Sequence, residues 1–309
     1  MLQLPENFTT ALAYIGAATA CYLAIQLARH AYRFLRPSSL PRYNPPEKDS
    51  WALVTGATDG IGFGFAQALS RRGFNVFLHG RNREKLLRRQ QELQAQFTSI
   101  KTKIIVYDVT KITEEVDNIV NEIGDAPLTV LINNIGGSLS DFEKLSDKSY
   151  LEVRDTISLN ITFMTQVTRL LIPILEQNGP GLIMNISSAA SYGMPWISVY
   201  SGCKGYVETF TNAVASEMKV DGRPIEVLGI WVGNVQSQMN AIDVSWTTPS
   251  SLGMAESALN RVGSKGPMVW GYFPHALQGL AFVLLPRDIV TMLIVKTMGD
   301  LKQDWAKRQ

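Results

Sequence analysis

Six short, largely apolar runs, each separated from the next by a segment with helical periodicity, most constrain the fold of this chain. We predict them as β-strands at 51–55, 75–79, 103–107, 128–132, 181–186 and 225–232. Helices are predicted between them near 60–72, 82–97, 113–123, 149–177 and 199–218. Continuous rather than alternating apolar residues are typical of strands buried on both faces of a parallel sheet. The pattern therefore predicts an α/β fold, a single-domain, doubly wound parallel sheet covered by helices.

Composition sets the broad class of the protein. The chain has 309 residues, of which 46% are hydrophobic and 18% charged, and this excludes collagen-like, coiled-coil and disordered chains. Two cysteines, Cys21 and Cys203, cannot form a disulfide framework or a four-ligand zinc site, so we predict no metal. A reducing, cytosol-facing location fits this cysteine content best.

The N-terminal segment is predicted to be a membrane anchor. No formal charge occurs from Asn7 to Ala28, and a spanning helix needs about 20 such residues. Because Arg29, Arg33 and Arg36 follow the run, the positive-inside rule places residues 29–309 in the cytosol. An amphipathic or buried N-terminal helix is the alternative. The predicted domains are an anchor at 1–28, a basic, proline-rich linker at 29–50 and a folded body at 51–309.

The net charge of +2 belongs to the first 50 residues, which hold five Lys or Arg against three acidic residues. The body is therefore neutral, and we predict no nucleic-acid partner. Within the body, residues 233–265 lack clear periodicity and are predicted as a substrate loop. The apolar runs 276–286 and 289–298 are expected as core helices or as helices that rest on a membrane surface.

A glycine-rich turn, Thr55 to Gly62, joins the first strand to the first helix of the body. Its glycines allow the backbone to approach a pyrophosphate, and the helix N-terminus supplies N–H groups and a positive dipole. The second strand ends at Arg81, where an NAD-specific site would place Asp or Glu. A guanidinium can bind the 2′-phosphate of NADP through two hydrogen bonds, so we predict NADP(H); a solvated arginine is the alternative.

Tyr200 and Lys204 lie at positions i and i+4 of a predicted helix and therefore on one face. A free phenol has a pKa of about 10, and a cation held nearby lowers that pKa. Tyr200 could then donate a proton to a forming alkoxide or remove one in reverse. Ser187 and Ser188 end the preceding strand, on the side of a parallel sheet where ligands bind.

Taken in order, these motifs resemble those of the short-chain dehydrogenase/reductase family. They are Thr55-Gly-x-x-x-Gly-x-Gly62, Asn133-Asn-Ile-Gly136, Asn160, Asn185-Ile-Ser-Ser188 and Tyr200-x-x-x-Lys204. The resemblance implies a Rossmann-type fold and hydride transfer between a nicotinamide and a carbonyl or alcohol. Isoleucine replaces the family's usual alanine at position 135, and Val232-Gly233 replaces its usual Pro-Gly.

The resemblance also implies residue roles. Tyr200 would be the acid/base, Lys204 would lower its pKa and hold the nicotinamide ribose, Ser188 would hydrogen-bond the substrate oxygen, and Asn160 would hold a water of a proton relay. Cofactor-binding residues would be Gly56, Thr58, Gly60, Ile61, Gly62, Arg81, Asn82, Lys85, Asp108, Asn134, Tyr200, Lys204, Val235 and Ser237.

The position of the catalytic serine is left open between two neighbours. Ser187 precedes Tyr200 by 13 positions, the family's usual spacing, and Ser188 precedes it by 12. Alignment on the preceding strand selects Ser188, with one residue deleted in 189–199. We prefer Ser188.

The anchor, the linker and a tail motif, Gly271-Tyr272-x-x-His275-Ala276-Leu277, resemble one branch of the family. This branch comprises the membrane-bound very-long-chain 3-oxoacyl-CoA reductases and the related 17β-hydroxysteroid dehydrogenases. It implies a reductase at the endoplasmic reticulum acting on a lipid-like ketone, with a 3-oxoacyl-CoA favoured, and it allows a homo-oligomer. Arg261 and Lys265 are the only basic residues of the loop, so a steroid or secondary-metabolite ketone is an alternative. A membrane-tethered, cofactor-binding scaffold is the non-enzyme alternative.

Overall fold

The protein is described by a computed structural model that covers residues 6–110, 114–138, 142–238 and 240–307. The chain divides into two compact units, one ending at Ser38 and the other beginning at Ser39. Residues 1–5 of the predicted anchor, the first residue of the helix predicted at 113–123 and residue 239 of the predicted substrate loop lie outside the described residues.

The first unit is built on one long apolar helix, α1, which covers Glu6–Leu35. Its 30 residues span about 45 Å at 1.5 Å per residue, longer than the roughly 30 Å of a bilayer's hydrocarbon core. By length and composition the stretch Asn7–Leu35 could cross a membrane. The helix runs seven residues beyond the predicted end of the anchor at 28, into the segment predicted as a linker.

The second unit contains a seven-stranded, all-parallel sheet with the strand order β3-β2-β1-β4-β5-β6-β7. The strands are β1 Trp51–Val54, β2 Asn75–Gly80, β3 Thr102–Val106, β4 Leu128–Asn133, β5 Gly181–Ile186, β6 Ile225–Trp231 and β7 Met268–Trp270. The predicted fold class and all six predicted strands are confirmed, whereas β7 was not predicted. The strand order reverses between β1 and β4, where α/β sheets of this type bind ligands.

Helices cover both faces of the sheet, and two further helices follow β7. The helices of this unit are α2 Gly60–Ser70, α3 Arg83–Gln96, α4 Asn118–Ile123, α5 Tyr150–Ile157, α6 Phe163–Gln177, α7 Ser198–Val220, α8 Ser251–Leu259, α9 Phe273–Leu284 and α10 Arg287–Ala306. Ala52 and Val54 of β1 pack with apolar residues of α2, α3 and α8. Trp51 and Leu53 pack with α4, α6 and α7 on the opposite face. This two-sided burial explains why the strand sequence is apolar at every position.

The helix predicted at 149–177 is interrupted. A capping box begins α5: the Ser149 N–H donates to Glu152 Oε2 (2.8 Å), and the Glu152 N–H donates to Ser149 Oγ (3.3 Å). A π-helical turn at Ser158–Thr162 then separates α5 from α6. Tyr150–Gln177 is also long and apolar enough to cross a membrane, but it is partly buried in the body, as a core helix is.

Three other segments differ from the sequence interpretation. The predicted substrate loop contains α8, which begins at an N-cap where Ser250 Oγ accepts from the Gly253 N–H (3.1 Å). Leu40 and Tyr43, within the predicted linker, are buried in the second unit. The tail forms α9 and α10, as helices were expected there, but large apolar side chains such as Val283 (74% exposed) and Met292 (63%) face outward.

Candidate active site

A cavity of about 430 Å³ opens at the carboxyl ends of the central strands. It brings together most of the predicted site residues: Gly56, Thr58, Gly60, Ile61, Arg81, Asp108, Asn134, Ser187, Ser188, Tyr200, Lys204, Val235 and Ser237. Four predicted residues, Gly62, Asn82, Lys85 and Asn160, do not line it. The cavity therefore runs from the glycine-rich turn and the end of β2 to the start of α7.

The glycine-rich turn is packed too closely for side chains. A Cβ at Gly62 would lie 2.1 Å from the Gly56 carbonyl oxygen and 2.6 Å from Asn134 Nδ2. The side chain of Asp59 caps α2 by accepting a hydrogen bond from the Gly60 N–H (2.6 Å). Gly62 does not line the cavity but allows the turn to pack closely against the Gly56 carbonyl. Gly60 and Ile61, in the N-terminal turn of α2, line the cavity.

Thr55 joins the turn to the end of β4. Its hydroxyl accepts hydrogen bonds from the N–H groups of Asn134 (2.9 Å) and Ile135 (3.2 Å) and donates to the Ile132 carbonyl (3.1 Å). The Asn134 side chain in turn donates to the Thr55 carbonyl (3.1 Å). Two strands that meet at the point of reversal are thereby fixed relative to each other.

The predicted acid/base pair lies on α7, as expected. Lys204 is buried, with 3% of its surface exposed, and its Nζ donates to the Ile186 carbonyl (2.9 Å) at the end of β5. The same Nζ lies 5.5 Å from the centre of the Tyr200 ring. Burial lowers the pKa of the Lys204 ammonium to about 8, because the charged form loses solvation.

The pKa of Tyr200 moves opposite to the expected direction. Burial of the phenol raises its pKa, and the hydrogen bond with Ser188 only partly offsets this effect. The expected lowering by Lys204 is therefore not the dominant influence on Tyr200 here. A raised pKa keeps the phenol protonated at neutral pH, the form that a proton donor requires.

Ser187 and Ser188 face in different directions. The buried Ser187 hydroxyl donates to the Lys204 carbonyl (3.2 Å) and lies 3.4 Å from Glu208 Oε1. The Ser188 hydroxyl hydrogen-bonds with Tyr200 and accepts from the Ala190 N–H (3.1 Å). Both serines touch the cavity, but Ser188 is the one paired with the tyrosine.

Asn160 lies on the π-helical turn and is almost completely buried. Its side chain accepts from the Gly137 N–H (3.0 Å) and donates to the carbonyls of Gly137 and Thr156 (2.8 Å each). A Cβ at Gly136 would lie 2.7 Å from Lys204 Nζ and 2.8 Å from Asn160 Oδ1, so only glycine leaves both groups room. The proposed water relay through Asn160 stays a prediction.

At the end of the cavity nearest to β2, some of the predicted cofactor-binding residues line the cavity and others do not. Arg81 is exposed and lines the cavity, as does Asp108, whose Oδ1 accepts from the N–H (3.1 Å) and the hydroxyl (2.8 Å) of Thr110. The side chain of Asn82 instead caps α3, accepting from the Lys85 N–H (2.9 Å). Lys85 lines a neighbouring cavity of about 110 Å³ with Thr58, Arg88, Arg89, Glu92 and Gln238.

These features fit a nicotinamide dinucleotide. The glycine turn at the N-terminus of α2 leaves backbone space for a pyrophosphate, and Arg81 offers a cation at the end of β2. The buried Lys204 and the Tyr200–Ser188 pair stand at the other end. Such an arrangement can position a carbonyl oxygen against two hydroxyl groups and protonate it.

Sequence reasoning missed Asp59 and Glu208. Asp59 directly precedes α2, and an aspartate before a helix is a recognisable N-cap signal. Glu208 lies four residues after Lys204 on α7 and accepts a hydrogen bond from the Trp231 indole as well as approaching Ser187. No motif in the sequence includes Glu208, and its contact with Trp231 of β6 depends on tertiary packing.

Comparison with known proteins identifies the family. Residues 50–247 match the model of the short chain dehydrogenase family. The chain therefore belongs to the short-chain dehydrogenases, and it is an oxidoreductase of that family. It is 32% identical over 303 residues to the very-long-chain 3-oxoacyl-CoA reductase of Anas platyrhynchos, covering 96% of each chain. Very-long-chain 3-oxoacyl-CoA reductase-A of Danio rerio is 33% identical over 290 residues, covering 92% of this chain and 89% of that one.

Solved structures share the fold. A 7β-hydroxysteroid dehydrogenase superimposes with a TM-score of 0.69 at 19% identity, covering 81% of this chain and 96% of that one. A short-chain dehydrogenase from Sphingobium yanoikuyae in complex with NADPH gives a TM-score of 0.63 at 22% identity, with 76% and 94% covered. At these identities the likeness shows the fold alone.

Proposed function

We propose that this protein is an NADPH-dependent reductase of a lipid-like ketone, with a 3-oxoacyl-CoA as the favoured substrate. The observation that carries the proposal is the meeting of Tyr200, Ser188 and Lys204 at one end of a cavity whose other end is the glycine-rich turn. The full-length similarity to very-long-chain 3-oxoacyl-CoA reductases supports the same substrate class.

NADPH, when bound, supplies a hydride to the carbonyl carbon. Ser188 holds the carbonyl oxygen by a hydrogen bond, and Tyr200 donates its proton to that oxygen as negative charge develops. The raised pKa of Tyr200 supports the donor role. Lys204, held by the Ile186 carbonyl, places a positive charge beside the phenol and favours proton loss from Tyr200 during the reaction. The same ammonium would hold the nicotinamide ribose.

The cofactor preference rests on Arg81. Its exposed guanidinium at the end of β2 lines the cavity, where it would bind a 2′-phosphate that NADH lacks. Lys85, in the neighbouring cavity beside Thr58, adds positive potential at longer range. Gly56, Thr58, Gly60, Ile61, Asn134, Val235 and Ser237 would contact the rest of the cofactor, while Gly62 and Asn82 would act by shaping the turn and capping α3.

A steroid or secondary-metabolite ketone is the second candidate substrate. Arg261, one of two basic residues in the predicted substrate loop, is buried with 5% of its surface exposed. Only Lys265 of that pair faces solvent, and a single cation provides little positive charge to bind the several phosphates of coenzyme A. This observation favours an uncharged ketone.

We also propose that α1 anchors the protein in the endoplasmic reticulum membrane, with the reductase domain facing the cytosol. The length and apolar composition of α1 support anchoring, and the basic residues after the run support the orientation. Alkaline carbonate extraction tests the anchor: the full-length chain should stay with the membrane pellet, and release into the supernatant would contradict it. Homo-oligomer formation stays a prediction.

The experiment that tests the reaction is NADPH consumption with a panel of 3-oxoacyl-CoAs of increasing chain length, steroid ketones and small polyketide ketones. Tyr200→Phe should abolish turnover of the preferred ketone while cofactor binding persists. Tyr206→Phe is the matched control, because Tyr206 lies on the same helix but its hydroxyl pairs with Thr165 (2.9 Å) outside the cavity. Cofactor binding by the wild type without turnover of any ketone would favour the scaffold alternative.

A further inference from the structure

The tail motif Gly271-Tyr272-x-x-His275 has no role in the reaction described above. The structure places it directly after β7, where Tyr272 precedes α9 and His275 lies in the first turn of that helix. His275 is completely buried and does not line the active-site cavity. Its ring therefore acts on other parts of the protein rather than on substrate.

The His275 ring contacts two stretches of backbone. The first, called here the exit stretch, is residues 233–238 after β6; the second, the return stretch, is residues 240–250 before α8. The Gly233 N–H donates to His275 Nδ1 (3.1 Å). His275 Nε2 lies 3.1 Å from the Asn234 carbonyl oxygen and 3.2 Å from that of Thr247. Because both contacts are carbonyls, Nε2 carries the proton and donates.

The fit is close as well as polar. A Cβ at Gly233 would lie 2.8 Å from His275 Cδ2, so the ring rests against bare backbone. Burial lowers the pKa of His275, which favours the neutral ring that this hydrogen-bond pattern requires. The Tyr272 hydroxyl adds a second tie to the return stretch by donating to the Trp246 carbonyl (3.2 Å).

The exit stretch carries three residues that line the cofactor cavity, Gly233, Val235 and Ser237. Ser237 Cβ would be 3.3 Å from a Cβ at Gly60, so the stretch reaches the glycine-rich turn. Further contacts join the two stretches beyond the histidine: the Gln236 N–H donates to the Pro249 carbonyl (3.0 Å) and the Asn240 side chain to the Val235 carbonyl (3.1 Å). Of these contacts between the two stretches, those of the His275 ring lie nearest to β6.

We propose that His275 is a positioning residue that joins the exit stretch to the return stretch and so holds Val235 and Ser237 in place in the wall of the cofactor cavity. The proposal rests on the proposed function for the identity of the bound cofactor. The clamp itself rests on three hydrogen bonds of one buried ring. Tyr272 and His275 of the tail motif act on the same segment, since each donates a hydrogen bond to a backbone carbonyl of the return stretch.

Hydrogen–deuterium exchange of the full-length protein in detergent, without cofactor, tests the clamp. His275→Leu removes all three hydrogen bonds and should speed exchange in peptides covering 232–238 and 246–250 on the order of tenfold, as expected when buried hydrogen bonds are lost. The Michaelis constant for NADPH should rise by a similar factor. Unchanged exchange in both peptides of a folded His275→Leu protein would overturn the proposal.

Two conservative variants separate a clamp from general destabilisation. His275→Asn keeps an acceptor near the Nδ1 position and loses the donor, so residues 246–250 should exchange faster than in His275→Gln. His275→Gln keeps a donor near the Nε2 position and loses the acceptor, so the Gly233 N–H should exchange faster than in His275→Asn. Each variant loses one bond to residues 232–238, so the two variants are compared at the Gly233 N–H and at residues 246–250. Equal exchange at both places in the two variants would contradict the assignment of the two ring nitrogens.

His79→Phe is the matched control. His79 is also completely buried, its ring stacks on Phe163 (5.0 Å between centres), and neither ring nitrogen has a hydrogen-bond partner among the described residues. Exchange in 232–238 and 246–250 should stay at the wild-type rate in this variant. Equal acceleration in His79→Phe would overturn the clamp. A wild type that reduces no ketone would refute the proposed function and leave the exchange result standing.

Discussion

The two ends of the active-site cavity differ in how deeply their polar side chains are buried and in how many hydrogen bonds hold them. At the catalytic end, Lys204, Ser187 and Asn160 are each at most 3% exposed, and named hydrogen bonds fix every one of them. At the other end Arg81 is exposed, as is Lys85 in the neighbouring cavity. The buried end holds reacting groups in one geometry, whereas exposed cations can bind a phosphate and still be exchanged with little effect on the fold.

Among the residues of this comparison, Lys204 should give the largest loss of kcat when it is replaced. Lys204→Met removes the only charge beside Tyr200 that the proposal uses, and kcat should fall on the order of a thousandfold. Steady-state NADPH oxidation with the preferred ketone measures the effect. Lys219→Met, an exposed position near the end of the same helix, should retain wild-type kcat. A Lys204→Met enzyme that keeps a tenth of the activity would remove Lys204 from the mechanism.

The two serines should differ next. Ser188→Ala deletes the hydroxyl that pairs with Tyr200, and kcat should fall about a hundredfold, as when one donor to a developing oxyanion is lost. Ser187→Ala deletes a bond to the Lys204 carbonyl and should reduce kcat only about threefold, because it acts through packing. Measuring both variants side by side decides the serine, and a larger loss in Ser187→Ala would reverse our assignment.

At the exposed end the expected effect is on preference rather than rate. Arg81→Asp replaces a cation with a carboxylate at the 2′-phosphate position, so the ratio of kcat/KM for NADPH to that for NADH should fall roughly 10- to 100-fold. Lys85→Ala, in the neighbouring cavity, should change the ratio much less. An unchanged NADPH preference in Arg81→Asp would refute the role given to Arg81.

The last prediction concerns pH and needs no substitution. Burial lowers the pKa of Lys204 to about 8, so the buried amine loses its proton as the pH rises through that value. In the free enzyme kcat/KM for NADPH should then fall about tenfold per pH unit above about pH 8. Lys204→Arg should retain low activity without this alkaline limb, because arginine stays protonated. A flat wild-type profile from about pH 7 to pH 10 would argue against a functional charge on Lys204.

Sequence periodicity was sufficient for the sheet and for the placement of Tyr200 and Lys204. The central strands β1, β2, β4 and β5 are buried at every position and therefore have largely continuous apolar sequences. Periodicity was insufficient for β7, whose three residues are too short to show a pattern. It also missed the π-helical turn, since Asn160 bonds to Thr156 and Gly137 only after the tertiary structure brings them together.

The separation of Asn82 and Lys85 from the main cavity has a similar cause. From sequence, both follow Arg81 and share its neighbourhood. In the structure the Asn82 side chain caps α3 and so does not line the main cavity. Lys85, in the first turn of α3, lines the smaller cavity together with Thr58. Side-chain direction at a helix start depends on capping geometry, which residue spacing alone does not define.

The link between Thr55 and Asn134 also bears on how the protein is made. These partners lie 79 positions apart, and β1 pairs with β4 as well as with β2. During synthesis, β1 therefore keeps one unpaired edge until β4 has left the ribosome. Such an edge is prone to pair wrongly. The glycine-rich turn that we propose as the pyrophosphate site lacks the Thr55–Asn134 link over the same interval, so we expect cofactor binding only after β4 has docked.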